Sequence, residues 1–580
     1  MENQKVKASL FKATFMMINF IFYLKVFGNE NIMLGTVLGI AAIMFLRRDF
    51  REELLYRATT FLIINLYLVV ASYLVNLNIY IGIILNFTTI FTITYLYMND
   101  FKNPTSYMFL MMYIFMISTE ITQQELPTRL LAVGAGVIII IIAQVMINRT
   151  TAKEKSDIAI NTIIDKLKKQ IDNLILEKYD EKESIKINQQ IRYLIASTSI
   201  KRYKHFKHNK VAIKQFSIGI CLSRLNTMIS HVASFKVDKE KKNEYLNDLK
   251  IQVENINNLN KNLQTIEQVN FRVDEFINKY KNLNLKLIDE SIYVFKIFKE
   301  IIDYSEENKE NVVTKLYENI NTKKPFNLFK LMRENFNINS LKFRYSIRLA
   351  IGISIMVFLA QITNINHESW IILSCYVVLQ PYKEDGLIKA QKRFIGVIIG
   401  VTIFFIVFSI IKDRISIQVV LFIGFIGYFY FADYSKKVVM TTILSLTVAS
   451  ISENIHTISI NRFILVTTGI VIGLLFNKYF LPYNIEDSIK ELKYKYKKNT
   501  RQMLNELDEI KHGRLNMLNI INLSIDRNKI EQNLILNSNK LNKGNINTFI
   551  HDQSIKMGSE KYLILNYLYL NYYQKRSNFN

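Results

Sequence analysis

The chain has 580 residues, half of them hydrophobic and 12% aromatic, and carries a formal net charge of +25. The hydrophobic residues gather into two blocks, about 8–148 and 340–482, which excludes a single soluble domain. Much of the Lys/Arg excess flanks apolar runs, as cytoplasmic loops of membrane proteins require, so nucleic acid is not an expected partner. Two cysteines, Cys221 and Cys375, give neither a disulfide framework nor a metal-binding spacing.

The first block opens with Lys5 and Lys7 ahead of an apolar run from Phe15. This resembles a signal peptide, but the run continues past Lys25 with no small-residue cleavage site, so it reads as a first membrane helix. Six apolar runs follow one another at about 11–28, 31–46, 55–76, 79–98, 106–121 and 127–147. Most approach the roughly 20 residues a bilayer needs; 31–46 and 106–121 are short. Their connections alternate between basic, as at Arg47-Arg48-Asp49-Phe50-Arg51, and poor in Lys/Arg, as at Asn76-Leu77-Asn78. That alternation predicts a cytoplasmic N-terminus and a cytoplasmic residue 149.

Residues 150–335 are polar and helical by pattern. Ile160, Ile163, Ile164, Leu167, Ile171, Leu174 and Ile175 recur at three- and four-residue steps. Leu246, Leu249, Val253, Ile256, Leu259, Leu263 and Ile266 follow a near-heptad rhythm, which predicts an antiparallel cytoplasmic helical bundle. The second block, within 336–483, has runs near 345–363, 370–381, 394–411, 415–432, 438–452 and 462–481. The C-terminal region, 484–580, is again helical by pattern. Its apolar stretch Tyr562–Leu570 is too short and too rich in Tyr and Asn for a span.

The two blocks carry the same polar residues in the same order. Lys12 and Arg348 are 336 positions apart, as are Arg57 and Arg393. At an offset of 333, Tyr97-x-x-Asp100-Phe101 meets Tyr430-x-x-Asp433-Tyr434, Glu120 meets Glu453, and Arg129 meets Arg462. Charged residues in membrane segments are rare and costly, so ordered charged matches carry weight that apolar matches do not. The expected fold is therefore an all-α polytopic membrane protein. It would have about twelve transmembrane helices in two parallel six-helix repeats, plus helical cytoplasmic regions. Duplicated ionisable residues in a duplicated bundle are the plan of a transporter or channel.

Each of these charges has a functional and a plain reading. Arg129 and Arg462 open the sixth span of their blocks on the predicted outer side. They either receive an anion at the outer mouth, or pair with Glu120 and Glu453, nine residues earlier, to staple a hairpin. Arg57, Arg393, Lys12 and Arg348 sit at inner ends of spans. There cations anchor helices by snorkelling, or converge on a cavity where a guanidinium fork holds a carboxylate. Asp100 and Asp433 either carry protons or cap the next helix. Gly35-x-x-x-Gly39, Gly396-x-x-x-Gly400 and Gly469-x-x-x-Gly473 are helix-packing patterns, acting within or between subunits. His205 and His208 have no further ligand cluster and read as a solvated basic face. No cofactor, metal or ATPase motif is evident, and an enzyme is not expected.

The stretch Trp370-Ile371-Ile372-Leu373-Ser374-Cys375-Tyr376-Val377-Val378-Leu379-Gln380-Pro381, followed by Arg393-x-x-Gly396-x-x-x-Gly400, resembles the core motif of the fusaric acid resistance family. That family is also described as aromatic acid exporters. Arg348-Leu349-Ala350 and Arg462 with Gly469 fit the same picture. In the first block Leu34 replaces the tryptophan and Phe45 the proline, and no glycine follows Arg57 at the expected spacing. The resemblance implies efflux of aromatic or other organic acids without ATP from a bacterial cytoplasmic (inner) membrane, with both termini cytoplasmic. Arg348, Arg393, Arg462, Lys12, Arg57 and Arg129 would then form an anion path. Glu120, Glu453, Asp100 and Asp433 would gate it or couple it to protons, and Trp370, Gln380, Pro381, Gly396 and Gly400 would be structural. A passive anion channel and a non-transporting membrane scaffold are the alternatives. The lipid bilayer and a small organic acid are the expected partners, and the glycine faces are compatible with a homodimer.

Overall fold

The computed structural model describes residues 2–45, 54–97, 106–147, 152–194, 215–232, 238–280, 291–299, 336–410, 414–511 and 517–550, apart from scattered positions within them. Among the described residues every regular element is helical, with no strand. The chain divides into two compact units. One comprises Met1–Arg149 with Phe326–Ser488, the other Thr150–Pro325 with Ile489–Asn580.

In the first unit each apolar run of the sequence is a helix: α1 (Glu2–Phe27), α2 (Ile32–Phe45), α3 (Leu54–Leu77), α4 (Ile79–Tyr97), α5 (Ser106–Ser118) and α6 (Leu126–Ile147). Helices of the second unit come next in the chain. The second block then supplies α10 (Leu341–Ile362), α11 (Glu368–Val378), α12 (Lys383–Ile410), α13 (Arg414–Tyr430), α14 (Tyr434–Ala449) and α15 (Ile455–Tyr479). Seven of these are long and apolar enough to cross a membrane: α1, α3, α4, α6, α10, α12 and α15. The shortest, α11, has 11 residues. At about 1.5 Å per residue it spans roughly 16 Å, half the hydrocarbon thickness.

Helix starts are set locally where the sequence offers a cap. Asn454 accepts from the His456 amide at 2.9 Å, and Asp433 from the Ser435 amide at 2.8 Å. The core joins both blocks through Leu68, Met112, Tyr113, Leu349, Ile353 and Cys375, all buried. α10 packs along α4, α1 packs along α13, and α11 lies against α15.

Small residues permit the closest of these approaches. A Cβ at Gly396 would lie 2.8 Å from the Ser435 carbonyl oxygen of α14, and one at Gly469 would lie 2.4 Å from the Ile371 carbonyl oxygen of α11. Both glycine faces therefore serve packing within the chain.

The second unit contains α7 (Ala152–Ile175), α8 (Lys239–Asn260), α9 (Ile266–Tyr280), most of α16 (Ile485–Lys511) and α17 (Met517–Leu541). Ile160, Ile163, Ile164, Leu167, Ile171 and Leu174 form the buried face of α7. Lys168 pairs with Glu254 and Asp172 with Lys250, so numbers rise on one helix as they fall on the other and α7 and α8 run antiparallel. Leu246 to Leu259 of the near-heptad series are buried, but Leu263 is 70% exposed. Its helix ends at Asn260, so the sequence rhythm continues past the element that gave it meaning. Tyr562–Leu570 and His205 and His208 lie outside the described residues.

The α11–α15 contact has a direct test. Gly469→Val forces a side chain against backbone and is expected to cost about 1–3 kcal/mol of stability. Gly134→Val, where a Cβ meets no atom within 4 Å, is expected to be near neutral. Thermal unfolding in detergent of the two variants checks the difference.

Candidate functional site

A backbone carbonyl buried without a donor costs free energy, and helices that stop inside a bundle expose several. Two arginines solve this problem. Arg129, 1% exposed, donates to the carbonyls of Met116, Thr119 and Glu30, to the Thr119 hydroxyl and to the Asn31 amide oxygen. It thereby closes the end of α5 and the turn before α2. Arg348, fully buried, donates to Leu481, Gln380 and Pro381 carbonyls, gathering the chain breaks after α11 and α15. Asn477 completes this second clamp by donating to the Val378 carbonyl at 2.6 Å. Gln380 and Pro381 thus end α11 in a turn whose carbonyls Arg348 holds.

Arg393 and Arg462 differ. Both are buried, at 9% and 6% exposure, and they lie within electrostatic reach of one another. Arg393 on α12 makes only long bonds, to the Ser374 hydroxyl at 3.2 Å and the Tyr434 hydroxyl at 3.4 Å. Arg462 on α15 rests against the Trp370 indole, 4.7 Å from its centroid, and its Nε is buried with no hydrogen-bond partner. Trp370 and Ser374 are one turn apart on α11, so this short helix presents both guanidinium contacts. Neither arginine has a carboxylate partner among the described residues. An unpaired buried ion costs several kcal/mol, which a carboxylate brought by a ligand would offset through bidentate hydrogen bonds. Aromatic surface is close by: Tyr107 stacks on Tyr376 with centroids 5.6 Å apart, and Tyr107 lies within reach of Arg393.

At the opposite end of α11 from Gln380 lies a cavity of about 600 Å³. Glu120, Glu368, His367, Asn76, Gln361 and Asn364 are among its lining residues. Of its two acids, Glu120 is exposed and Glu368 half-buried. His367 adopts a left-handed conformation (φ 59°) as the N-cap of α11 and stacks on Trp370 with centroids 4.2 Å apart. Its Nε2 is 2.8 Å from Glu453.

Four of the six expected path residues are thus well defined, and they separate into two kinds. Arg129 commits its donors to helix ends and Arg348 both its terminal nitrogens, its Nε being buried without a hydrogen-bond partner like that of Arg462, whereas Arg393 and Arg462 come together. Lys12 is half-buried with Nζ 6.0 Å from the Phe429 centroid, and α3 carries Arg57, whose side chain lies outside the described residues, as does Asp100. Glu120 and Glu453 do not pair with Arg129 and Arg462 among the described residues. One lines the cavity and the other holds His367. Asp433 caps α14 and bonds Lys392 at 2.7 Å. Lys392 and the two Ser435 bonds hold its carboxyl well below the usual carboxylate range. Sequence reasoning passed over His367, Glu368 and Asn477. The first two precede the tryptophan of the motif closely, and a polar pair at the mouth of so short a helix was the available signal.

Residues 354–476 match the family described as Fusaric acid resistance protein-like. The match runs from within α10 into α15, and so includes Trp370, Gln380-Pro381, Arg393, Gly396, Gly400 and Arg462. The resemblance read from those residues therefore holds for this segment. With the seven membrane-length helices found among the described residues it indicates a multi-pass membrane protein. The chain is also 23% identical over 141 residues to Uncharacterized protein slr1298 of Synechocystis sp. (strain ATCC 27184 / PCC 6803 / Kazusa). That alignment covers 24% of this chain and 18% of the relative, so the chain matches under a fifth of that protein's length. No solved structure gives a significant match.

The two kinds of arginine predict opposite stability effects. Arg129→Met and Arg348→Met orphan several buried carbonyls, at about 1–3 kcal/mol each, and should lower the unfolding midpoint strongly. Arg393→Met and Arg462→Met remove charges without a counter-ion and should leave it unchanged or raise it. Thermal unfolding of the four variants in detergent, without added organic acid, checks the contrast.

Proposed function

We propose that the protein exports small organic anions, aromatic carboxylates among them, without hydrolysing ATP. The observation that carries this reading is the buried Arg393–Arg462 pair, which lacks a carboxylate partner among the described residues and sits beside Trp370 and the Tyr107–Tyr376 stack. A guanidinium fork suits a carboxylate, and the aromatic surface suits a planar ring. The family description supports the transporter class but names no substrate for this chain.

The membrane arrangement that goes with this function is two parallel six-helix repeats giving twelve spans, with both termini in the cytoplasm of a bacterium. Several observations support it. α10, the first helix of the second block, packs on α4, the fourth of the first; α1 packs reciprocally on α13. Within each block the second helix packs on the sixth, α2 on α6 and α11 on α15. The short helices α2, α5 and α11 are largely buried among longer neighbours.

Proteoliposomes loaded with benzoate and a panel of aliphatic acids test the reading. Concentrative, gradient-driven benzoate movement is expected, falling at least tenfold in Arg393→Met and Arg462→Met. Lysine at either position should restore only part of it, because an ammonium cannot form the fork. Downhill flux indifferent to any gradient would identify a channel instead. No flux of any acid by folded, inserted protein would contradict transport.

A further inference from the structure

The chain passes from α13 to α14 through Tyr428-Phe429-Tyr430-Phe431-Ala432-Asp433-Tyr434, a run of aromatic rings around one tight turn. Lysines reach these rings from three helices. From α1, the Lys5 Nζ lies 4.7 Å from the Tyr430 centroid and the Lys12 Nζ 6.0 Å from that of Phe429. From α12, the Lys389 Nζ lies 5.9 Å from the Tyr434 centroid, and Lys392 bonds Asp433. From the first turn of α14, Lys436 and Lys437 lie 5.4 and 5.7 Å from the Phe431 and Tyr428 centroids. Ammonium groups from three helices thus gather at one end of the bundle.

Little negative charge answers them. α13 and α14 contain no acid within their helices. Asp433 is taken by Lys392 and by its role as the α14 cap, and Glu384 on the first turn of α12 accepts from the Ile485 amide at 3.2 Å. That leaves Asp385 on α12 and Glu2 at the start of α1. Lys5 and Lys436 are exposed, and the rings beneath them, Tyr430 and Phe431, have centroids 5.5 Å apart. A ring covers one side of an ammonium, so N–H donors can still reach an oxyanion.

We propose that this turn is a headgroup site for an anionic phospholipid, with Lys5 and Lys436 meeting its phosphate. Lysine suits that role as a compact point charge. The occupant is a lipid because the same helices are apolar on their outer faces: Val6, Leu10 and Phe11 of α1 and Ile388 and Ile395 of α12 are exposed. Acyl chains lie along such faces while the phosphate meets the lysines. Tyrosine fits this boundary because one end of its ring is apolar and the other wet. The site does not depend on the reading of Arg393 and Arg462.

The test is thermal unfolding of delipidated full-length protein in an uncharged detergent, titrated with phosphatidylglycerol. The midpoint is expected to rise saturably, and not to rise with phosphatidylcholine or inorganic phosphate. Lys5→Gln/Lys436→Gln should need about tenfold more phosphatidylglycerol for half of that rise, and Lys5→Arg/Lys436→Arg, which keeps the charges, should retain it. Lys497→Gln/Lys498→Gln removes two exposed charges from α16 instead and should respond as the wild type does. No rise in the wild type, an equal rise with phosphatidylcholine, or an equal loss in the α16 variant would each overturn the proposal. A rise matched by inorganic phosphate would overturn the lipid as occupant. None of these readouts requires benzoate to move, so the export reading can fail while the lipid site stands.

Discussion

A carbonyl inside a membrane bundle must find a donor, and this constraint organises the membrane unit. Three of its helices, α2, α5 and α11, have between 11 and 14 residues and end among longer neighbours. Their ends would leave carbonyls bare in a medium without water. Arg129 and Arg348 answer that need, each collecting oxygens from separate chain segments. A guanidinium suits the task because its donors point in several fixed directions and never lose their charge.

Once those two arginines are understood as clamps, Arg393 and Arg462 stand apart. They are also buried but bond hydroxyls at long range or rest on an indole. The same residue type therefore does two jobs in one bundle, and the difference lies in what surrounds it. Where carbonyls converge, arginine is structural. Where aromatic rings and a sparse set of hydroxyls surround it, the proposed reading leaves the fork to a carboxylate. α11 is the element common to both, since its C-terminal break is held by Arg348 and its N-terminal two turns support Arg462 and Arg393.

Much of the fold was legible in the sequence. Hydropathy alone located each helix of the membrane unit, because apolar runs of near-bilayer length with basic flanks rarely fold any other way. The amphipathic period of α7 identified its buried face. Leu263 shows where periodicity misleads, since a rhythm does not record where the helix stops. The site was less legible. Duplicated charges singled out Arg129, Arg348, Arg393 and Arg462 together, but spacing cannot say which of them meets carbonyls, because that depends on chain breaks brought from elsewhere, such as Leu481 onto Arg348. Asp433 followed a simple local rule and is a cap beside Lys392. Glu368 went unnoticed in the sequence, because only the fold brings it to the same cavity as Glu120.

The most direct test of the anion site is calorimetric titration of benzoate into the purified full-length protein and its Arg393→Met, Arg462→Met and Arg348→Lys variants. Saturable binding of one equivalent by the wild type is the predicted result. Binding should be lost in both methionine variants and retained in whatever fraction of Arg348→Lys remains folded. Binding that persists undiminished in both Arg393→Met and Arg462→Met would contradict this, and would show that the buried arginine pair is not where the anion sits.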